Sequence, residues 1–115
     1  MAAQLHLRDV ALFENHKQLS MDLDQARSRA SLVEVLVHKG DRLSDVMFGR
    51  VASASPRGVE LNLRGSAGVT IYFDFSDADI QHCRREKPSQ QGWRVQSPGG
   101  MTLVFFELPQ HQIAA

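Results

Sequence analysis

Leu32-Val33-Glu34-Val35-Leu36-Val37 is the stretch that decides the fold. It is rich in β-branched side chains, which pack well on a pleated surface and lose rotamer freedom in a helix. It stops at Lys39-Gly40-Asp41, a turn signal in which glycine takes a positive φ at no steric cost. A strand is therefore predicted here. From Leu32 onward side chains switch sides residue by residue, so sheet is expected to supply the interior.

Working downstream, Val46, Phe48 and Val51 predict a second strand from about Val46 to Ala54, and the change of apolar phase across Gly49 predicts a bulge or sharp bend. Ser55-Pro56-Arg57-Gly58 is a turn by its chemistry, and Val59, Leu61 and Leu63 alternate with polar residues after it, so a hairpin is expected. Gly65-Ser66-Ala67-Gly68 makes the next turn, followed by a core strand carrying Val69, Ile71, Phe73 and Phe75 on one face. Ser76 and Asp79 have the spacing of a capping box, with Arg84 and Arg85 late in the segment, which predicts a short helix from Asp77 to about Arg85. After the polar loop Lys87–Gly92, two strands, Trp93–Gln96 and Met101–Leu108, are joined through Ser97-Pro98-Gly99-Gly100. Leu103, Val104, Phe105 and Phe106 are consecutive, so apolar groups leave both faces of this last strand. Its second face, with Val104 and Phe106, is expected to meet the N-terminal helix or another subunit.

Working upstream, Leu7, Val10, Ala11 and Phe13 fall at helical spacings between Leu7 and His16, and a short helix is predicted. Leu19, Met21 and Leu23 alternate with Ser20, Asp22 and Asp24, which predicts a half-buried strand; the rival reading starts a second helix at Asp22, with Gln25 as reciprocal cap and Ala26 to Ala30 as its body. The expected fold is α+β, mainly antiparallel β. About six or seven strands form a strongly bent sheet or small barrel, with an N-terminal helix and one short helix near residues 77–85. The chain of 115 residues reads as a single domain: a helical segment 1–16, a β-rich body 17–108 and a tail 109–115.

Composition excludes more than it suggests. Lysine plus arginine equals aspartate plus glutamate, 13 against 13, so no net field draws the protein to nucleic acid or an anionic membrane. Cys83 is the only cysteine and has no partner in its own chain, which points to a reducing compartment. No segment approaches the ~18 apolar residues of a membrane span, and the first residues lack the basic flank and apolar block of a signal peptide. A cytoplasmic protein outside the membrane is expected.

Chemical motifs are few. No Walker-type loop or dinucleotide fingerprint occurs, and Gly65-Ser66-Ala67-Gly68 has the wrong spacing for a nucleophile elbow. His82 and Cys83 are adjacent and so badly arranged as base and thiolate. His6, His16, His38, His82 and His111 show no ligand spacing. Asp74, Asp77 and Asp79 lack the glycine and distal glutamate of a calcium loop and read as helix-start electrostatics. Trp93 beside Arg94, with Tyr72 in a strand, is the pattern of a stacking surface, but a single strand tryptophan reads better as core. No metal and no cofactor is expected.

One turn carries a sharper signal. Ser53-Ala54-Ser55-Pro56-Arg57-Gly58 resembles the D-x-S-x-x-G turn of PilZ domains, small bacterial β-barrels that bind cyclic di-GMP: Ser55 and Gly58 match, while Ser53 stands where the family carries aspartate. The family also has an upstream R-x-x-x-R element; the nearest feature here is Arg27-Ser28-Arg29, at a different spacing. The resemblance covers about Arg27 to Leu108 and implies a ligand-binding barrel with Arg27, Arg29, Ser53, Ser55 and Gly58 at its site. A second, looser similarity is to Sm-like barrels, over Leu32 to Ile80 with a glycine bend at Gly49.

The leading expectation is a non-catalytic interaction domain that self-associates as a homo-oligomer, with a dimer favoured and Val104 and Phe106 at the interface. A PilZ-like or other ligand-binding barrel is the alternative. A small hydrolase or isomerase with paired carboxylates and no motif is the third.

Overall fold

A computed structural model describes residues 7–109 except 66, 67 and 88, with side-chain exposure from Phe13 onward. The two terminal expectations, the first six residues of the helical segment and most of the tail from 110, lie outside the described residues, as do His6 and His111. Among the described residues one helix, α1 (Leu7–Ser28), precedes seven strands: β1 (Leu32–Lys39), β2 (Arg42–Ser55), β3 (Gly58–Leu63), β4 (Thr70–Asp74), β5 (Asp79–Glu86), β6 (Ser89–Gln96) and β7 (Met101–Glu107). All ladders are antiparallel, in the order β4-β3-β2-β1-β7-β6-β5. The strand quoted first, β1, thus sits at the centre, between β2 and β7. The α+β antiparallel character follows the sequence; closure into a barrel does not, because β4 and β5 remain the two edges.

The sheet nevertheless curls strongly. Strands lie about 4.8 Å apart, so in a flat sheet β4 and β7 would be separated by about 19 Å. Instead the ring of Phe73 on β4 meets that of Phe105 on β7 edge-to-face at 6.0 Å, and Phe75, just after β4, meets Phe105 at 5.8 Å. The concave face holds the core, with Val33, Val35, Val51, Val59, Leu61, Ile80, Val95 and Leu103 buried on it. The bend is helped by an irregularity in the β2–β3 ladder between Val51 and Ser53, three residues beyond the glycine at which the sequence placed it. Gly49 has a different duty: a Cβ there would press into the Asn62 carbonyl of β3.

Two predicted elements are corrected. Residues 19–24 are not a strand; α1 runs unbroken from Leu7 through Ser28. The apparent alternation of Leu19, Met21 and Leu23 is also an i, i+4 spacing, and the choice is made by Ala26: Leu19, Leu23 and Ala26 are buried on one helical face while Met21 is 47% exposed. The rival reading had the right conformation for residues 22–28 but began the helix too late. The second helix, expected over Asp77–Arg85, is absent, and Asp79–Glu86 is edge strand β5 paired along its whole length with β6. The supposed cap is instead a β-turn, closed by Ala78 N–H donating to Phe75 C=O at 3.2 Å, with Asp77 at φ +58°. A residue in that conformation cannot begin a right-handed helix.

The helix ends in a Schellman motif. Ser31 N–H donates to Ala26 C=O and Ala30 N–H to Arg27 C=O, each at 3.0 Å, with Ala30 at φ +52°. Glycine usually occupies that position because a Cβ there is strained. Ala30→Gly is therefore expected to raise unfolding free energy by about 0.5–1 kcal/mol, the relief of left-handed strain less the greater freedom of glycine in the unfolded chain. Urea denaturation checks this; an unchanged or lower midpoint counts against it.

Candidate functional site

The helix lies on the concave side, mainly along β2, and spans the gap that the unjoined edges leave. Asn15 Nδ2 donates to Ile80 C=O at 2.7 Å, and His16 Nε2 to Phe75 C=O at 3.0 Å; because a carbonyl only accepts, the proton is on Nε2. Those two carbonyls bracket the β4–β5 connection. Beside them, α1, the β2–β3 turn and the β4–β5 turn enclose an open concavity of about 690 Å³. Phe13 and His16 form its helical wall, Ser55, Pro56 and Arg57 the second and Ser76, Asp77 and Ala78 the third.

The two turns brace each other. Arg57 C=O accepts from Phe75 N–H at 2.8 Å and from the Tyr72 hydroxyl at 3.3 Å. Arg57 N–H donates to Ser55 Oγ at 3.2 Å, and Ser76 N–H to Asp74 Oδ1 at 2.9 Å, a bond that holds the Asp74 carboxyl below its ordinary pKa. Gly58 is required at the turn's end, since a Cβ would collide with Tyr72 and the Phe73 carbonyl.

The five residues selected from the turn resemblance fall into two groups. Ser55 lines the concavity, Gly58 closes the turn behind it, and Ser53 lies on β2 with its hydroxyl 3.5 Å from Glu60. Arg27 and Arg29 are at the other end of α1, about 16 Å along the helix axis from His16 to Arg27 by helical rise. Arg27 pairs with Asp24 at 2.8 Å, and Arg29 grips Glu107 with two bonds of 2.9 and 2.7 Å. The arrangement does not bring the arginines to the serine turn.

Under that end of the helix is a second, smaller cavity of about 240 Å³, bordered by Asp22, Arg29, His82, Trp93 and Glu107 among others. Several of its polar groups are engaged with each other: Trp93 Nε1 donates to Asp22 at 2.8 Å, Arg29 pairs with Glu107, and His82 stacks on Trp93 with ring centroids 3.8 Å apart. Trp93 itself is buried, as a core tryptophan should be. Hydrogen bonding from Arg29 pulls the Glu107 carboxyl below its ordinary pKa, partly opposed by burial and assisted by Ser31. A general acid needs the opposite shift. Cys83, on β5 rather than in a helix, points away from His82 across the strand, and burial pushes its thiol up despite the nearby Arg94 charge. A thiol so shifted is a poor nucleophile. Among the described residues no group of three or more His, Cys, Asp or Glu side chains is placed to hold a metal ion.

The convex face answers the question raised by the two-faced strand. Phe106 is 3% exposed within the chain itself, because the Arg85 guanidinium lies 4.1 Å over its ring, anchored to Glu34 at 2.7 Å. Gly92 leaves the space for that ring, since a Cβ there would strike it. Val104 has no such cover. It pairs with Leu36 on β1, which pairs with Val46 on β2, so one apolar row crosses three strands, with Phe48 and Leu43 beside it on β2. Val46, Phe48 and Leu43 are 39%, 37% and 50% exposed. The sequence reading missed Leu36 and Val46, although the signal was present: β1 and β7 both carry apolar residues at successive positions, and both are paired in register.

Compared with known proteins, the chain matches no family model, no curated protein and no solved structure.

The Arg29–Glu107 pair sets a pH dependence. A carboxyl whose folded pKa is depressed contributes stability fully above its unfolded pKa, and that contribution is lost as pH falls through the folded value. Stability is thus expected to decline as pH drops below about 4.5, and Glu107→Gln to flatten that part of the profile. Both partners are substantially solvated, so the effect is small. Chemical denaturation of the two proteins across this range checks it; superimposable profiles would show that Glu107 does not titrate differently on folding.

Proposed function

We propose that the chain is a non-catalytic interaction domain that pairs with a second copy of itself, as a dimer, through the convex face of β2, β1 and β7. The observation that carries this reading is the continuous apolar row Val46–Leu36–Val104, with Val46 exposed and Leu36 and Val104 half-buried, flanked by the exposed Phe48 and Leu43. Monomeric proteins rarely leave a contiguous apolar patch larger than a few hundred Å² in water. A face crossed by a single apolar row is self-complementary under a two-fold axis. Arg50 on one side and Arg94 on the other supply the polar rim that interfaces of this kind carry. Phe106 lies on the same face beside the contact, under Arg85, while Val104 takes part in it directly.

Light scattering after size exclusion at high micromolar concentration is expected to give twice the chain mass. Val46→Asp and Val104→Asp should each give a monomer with little loss of melting temperature, because these positions are partly exposed within the chain. A strict monomer for the parent protein overturns the proposal. A ligand-binding reading has one observation in its favour, the position of Ser55 on the wall of the 690 Å³ concavity. Calorimetry with cyclic di-GMP tests the form of it that resembles PilZ domains, and an absence of heat removes that form.

A further inference from the structure

From the concavity between α1 and the two turns we infer a binding site for a zwitterion with an apolar body, the chemistry of an apolar amino acid or a short apolar peptide. This goes beyond self-association and does not rest on it, since the concavity lies at the seam beside α1 and not on the convex face.

Three observations converge. The apolar part of the lining comes from Phe13, Pro56 and Ala78, and Phe13 is 65% exposed although it stands at the rim of a concavity its ring could help to fill. Two opposite charges, Arg57 and Asp77, line separate turns; among the described residues neither takes part in an ion pair or a side-chain hydrogen bond. The walls that carry them are fixed relative to each other by bonds to two backbone carbonyls: Arg57 C=O accepts from Phe75 N–H and the Tyr72 hydroxyl, while Phe75 C=O accepts from His16 Nε2 and Ala78 N–H. The backbone of the walls is therefore built before a ligand arrives, so binding has only the two exposed side chains left to order.

Charge complementarity selects the occupant. A simple anion is attracted by Arg57 and opposed by Asp77, and a simple cation the reverse. A ligand carrying both an ammonium and a carboxylate satisfies both, with the guanidinium taking the carboxylate as a fork. Its apolar body then covers Phe13 and Pro56. At about 690 Å³ the concavity has room for one amino acid or for a peptide of a few residues. Asp77 also has a conformational reason to be where it is: at φ +58° it presents its carboxylate from a left-handed position that aspartate and asparagine tolerate better than most residues.

The test uses calorimetric titration of the full chain with L-phenylalanine and with diphenylalanine dipeptide, against phenylpropionate, which lacks the ammonium, and phenethylamine, which lacks the carboxylate. At least one zwitterion is expected to bind, and the single-charge compounds about tenfold more weakly or not at all. A response to both zwitterions assigns a free amino acid as sufficient, and a response to the dipeptide alone assigns a peptide. Arg57→Gln should remove the preference for phenylalanine or dipeptide over the amine. Asp77→Asn, which keeps the left-handed turn, should remove the preference over phenylpropionate, with the melting temperature of each variant showing that the fold persists. Equal binding of all four compounds, no binding of either zwitterion at millimolar concentration, or variants that leave the preferences unchanged would overturn the inference.

Discussion

Everything in this fold depends on how α1 is fastened across the open seam of the sheet. Seven antiparallel strands curl until Phe73 and Phe75 reach Phe105, yet β4 and β5 are not joined by a ladder. A curled sheet with a gap exposes its core to water through that gap, and unpaired backbone at such a place is costly when buried. The helix resolves both difficulties. Leu19, Leu23 and Ala26 fill the concave side, while Asn15 and His16 take the carbonyls of Ile80 and Phe75 on either side of the connection. It does the work that an eighth strand would do in a closed barrel, with side-chain amide and imidazole in place of a strand's N–H groups.

With α1 committed to the concave side, the convex side must find its own cover. It does so only in part. Phe106 is sealed by Arg85, whose charge is matched by Glu34 and whose orientation is fixed further by Gln90; the Gln90 amide in turn donates to the Glu107 carbonyl. Two residues along the same strand, Val104 begins the row with Leu36 and Val46; Arg94, its neighbour on β6, is turned to Gln81 at 2.9 Å. The difference between a covered and a less covered apolar position on the same face thus comes down to where the nearby arginine is anchored: Arg85 by Glu34 over Phe106, Arg94 by Gln81 beside Val104. That is the physical ground for placing association at the second row rather than at Phe106.

The centre of the sheet was legible because its strands have strong local signals: β-branched runs, period-two alternation and turn residues at β1, β3, β4 and the closing hairpin. The errors lie where two periods coincide or where neither is present. Over Leu19–Leu23 an alternating pattern and an i, i+4 pattern select the same residues, and only Ala26, beyond the window, separates them. In β5 the only apolar residues are Ile80 and Cys83, so no apolar period exists, and the order of charges that suggested a helix dipole reflects an edge strand guarded by Arg84, Arg85 and Glu86. The site is less legible for a different reason. Ser55 and Arg57 could be chosen from turn chemistry, but Phe13, His16 and Asp77 join them only because the helix crosses the seam, a tertiary fact with no local pattern.

The seam therefore explains why a concavity survives in so small a fold. Where β4 and β5 diverge, the chain must turn in little space, and the turns are braced through shared carbonyls: Phe75 C=O serves His16 and Ala78, and Arg57 C=O serves Phe75 and Tyr72. Bracing by hydrogen bonds to these two carbonyls fixes the walls without filling the space between them. Gly58 makes the approach of the two turns feasible, because any larger residue would push Tyr72 and β4 away and break the Arg57–Phe75 bond. The same bonds that keep the core dry at the open edge thus hold Arg57 and Asp77 on separate walls. A change that loosens the seam must disturb the core and the concavity together, whereas a change confined to the two charges leaves the fold intact.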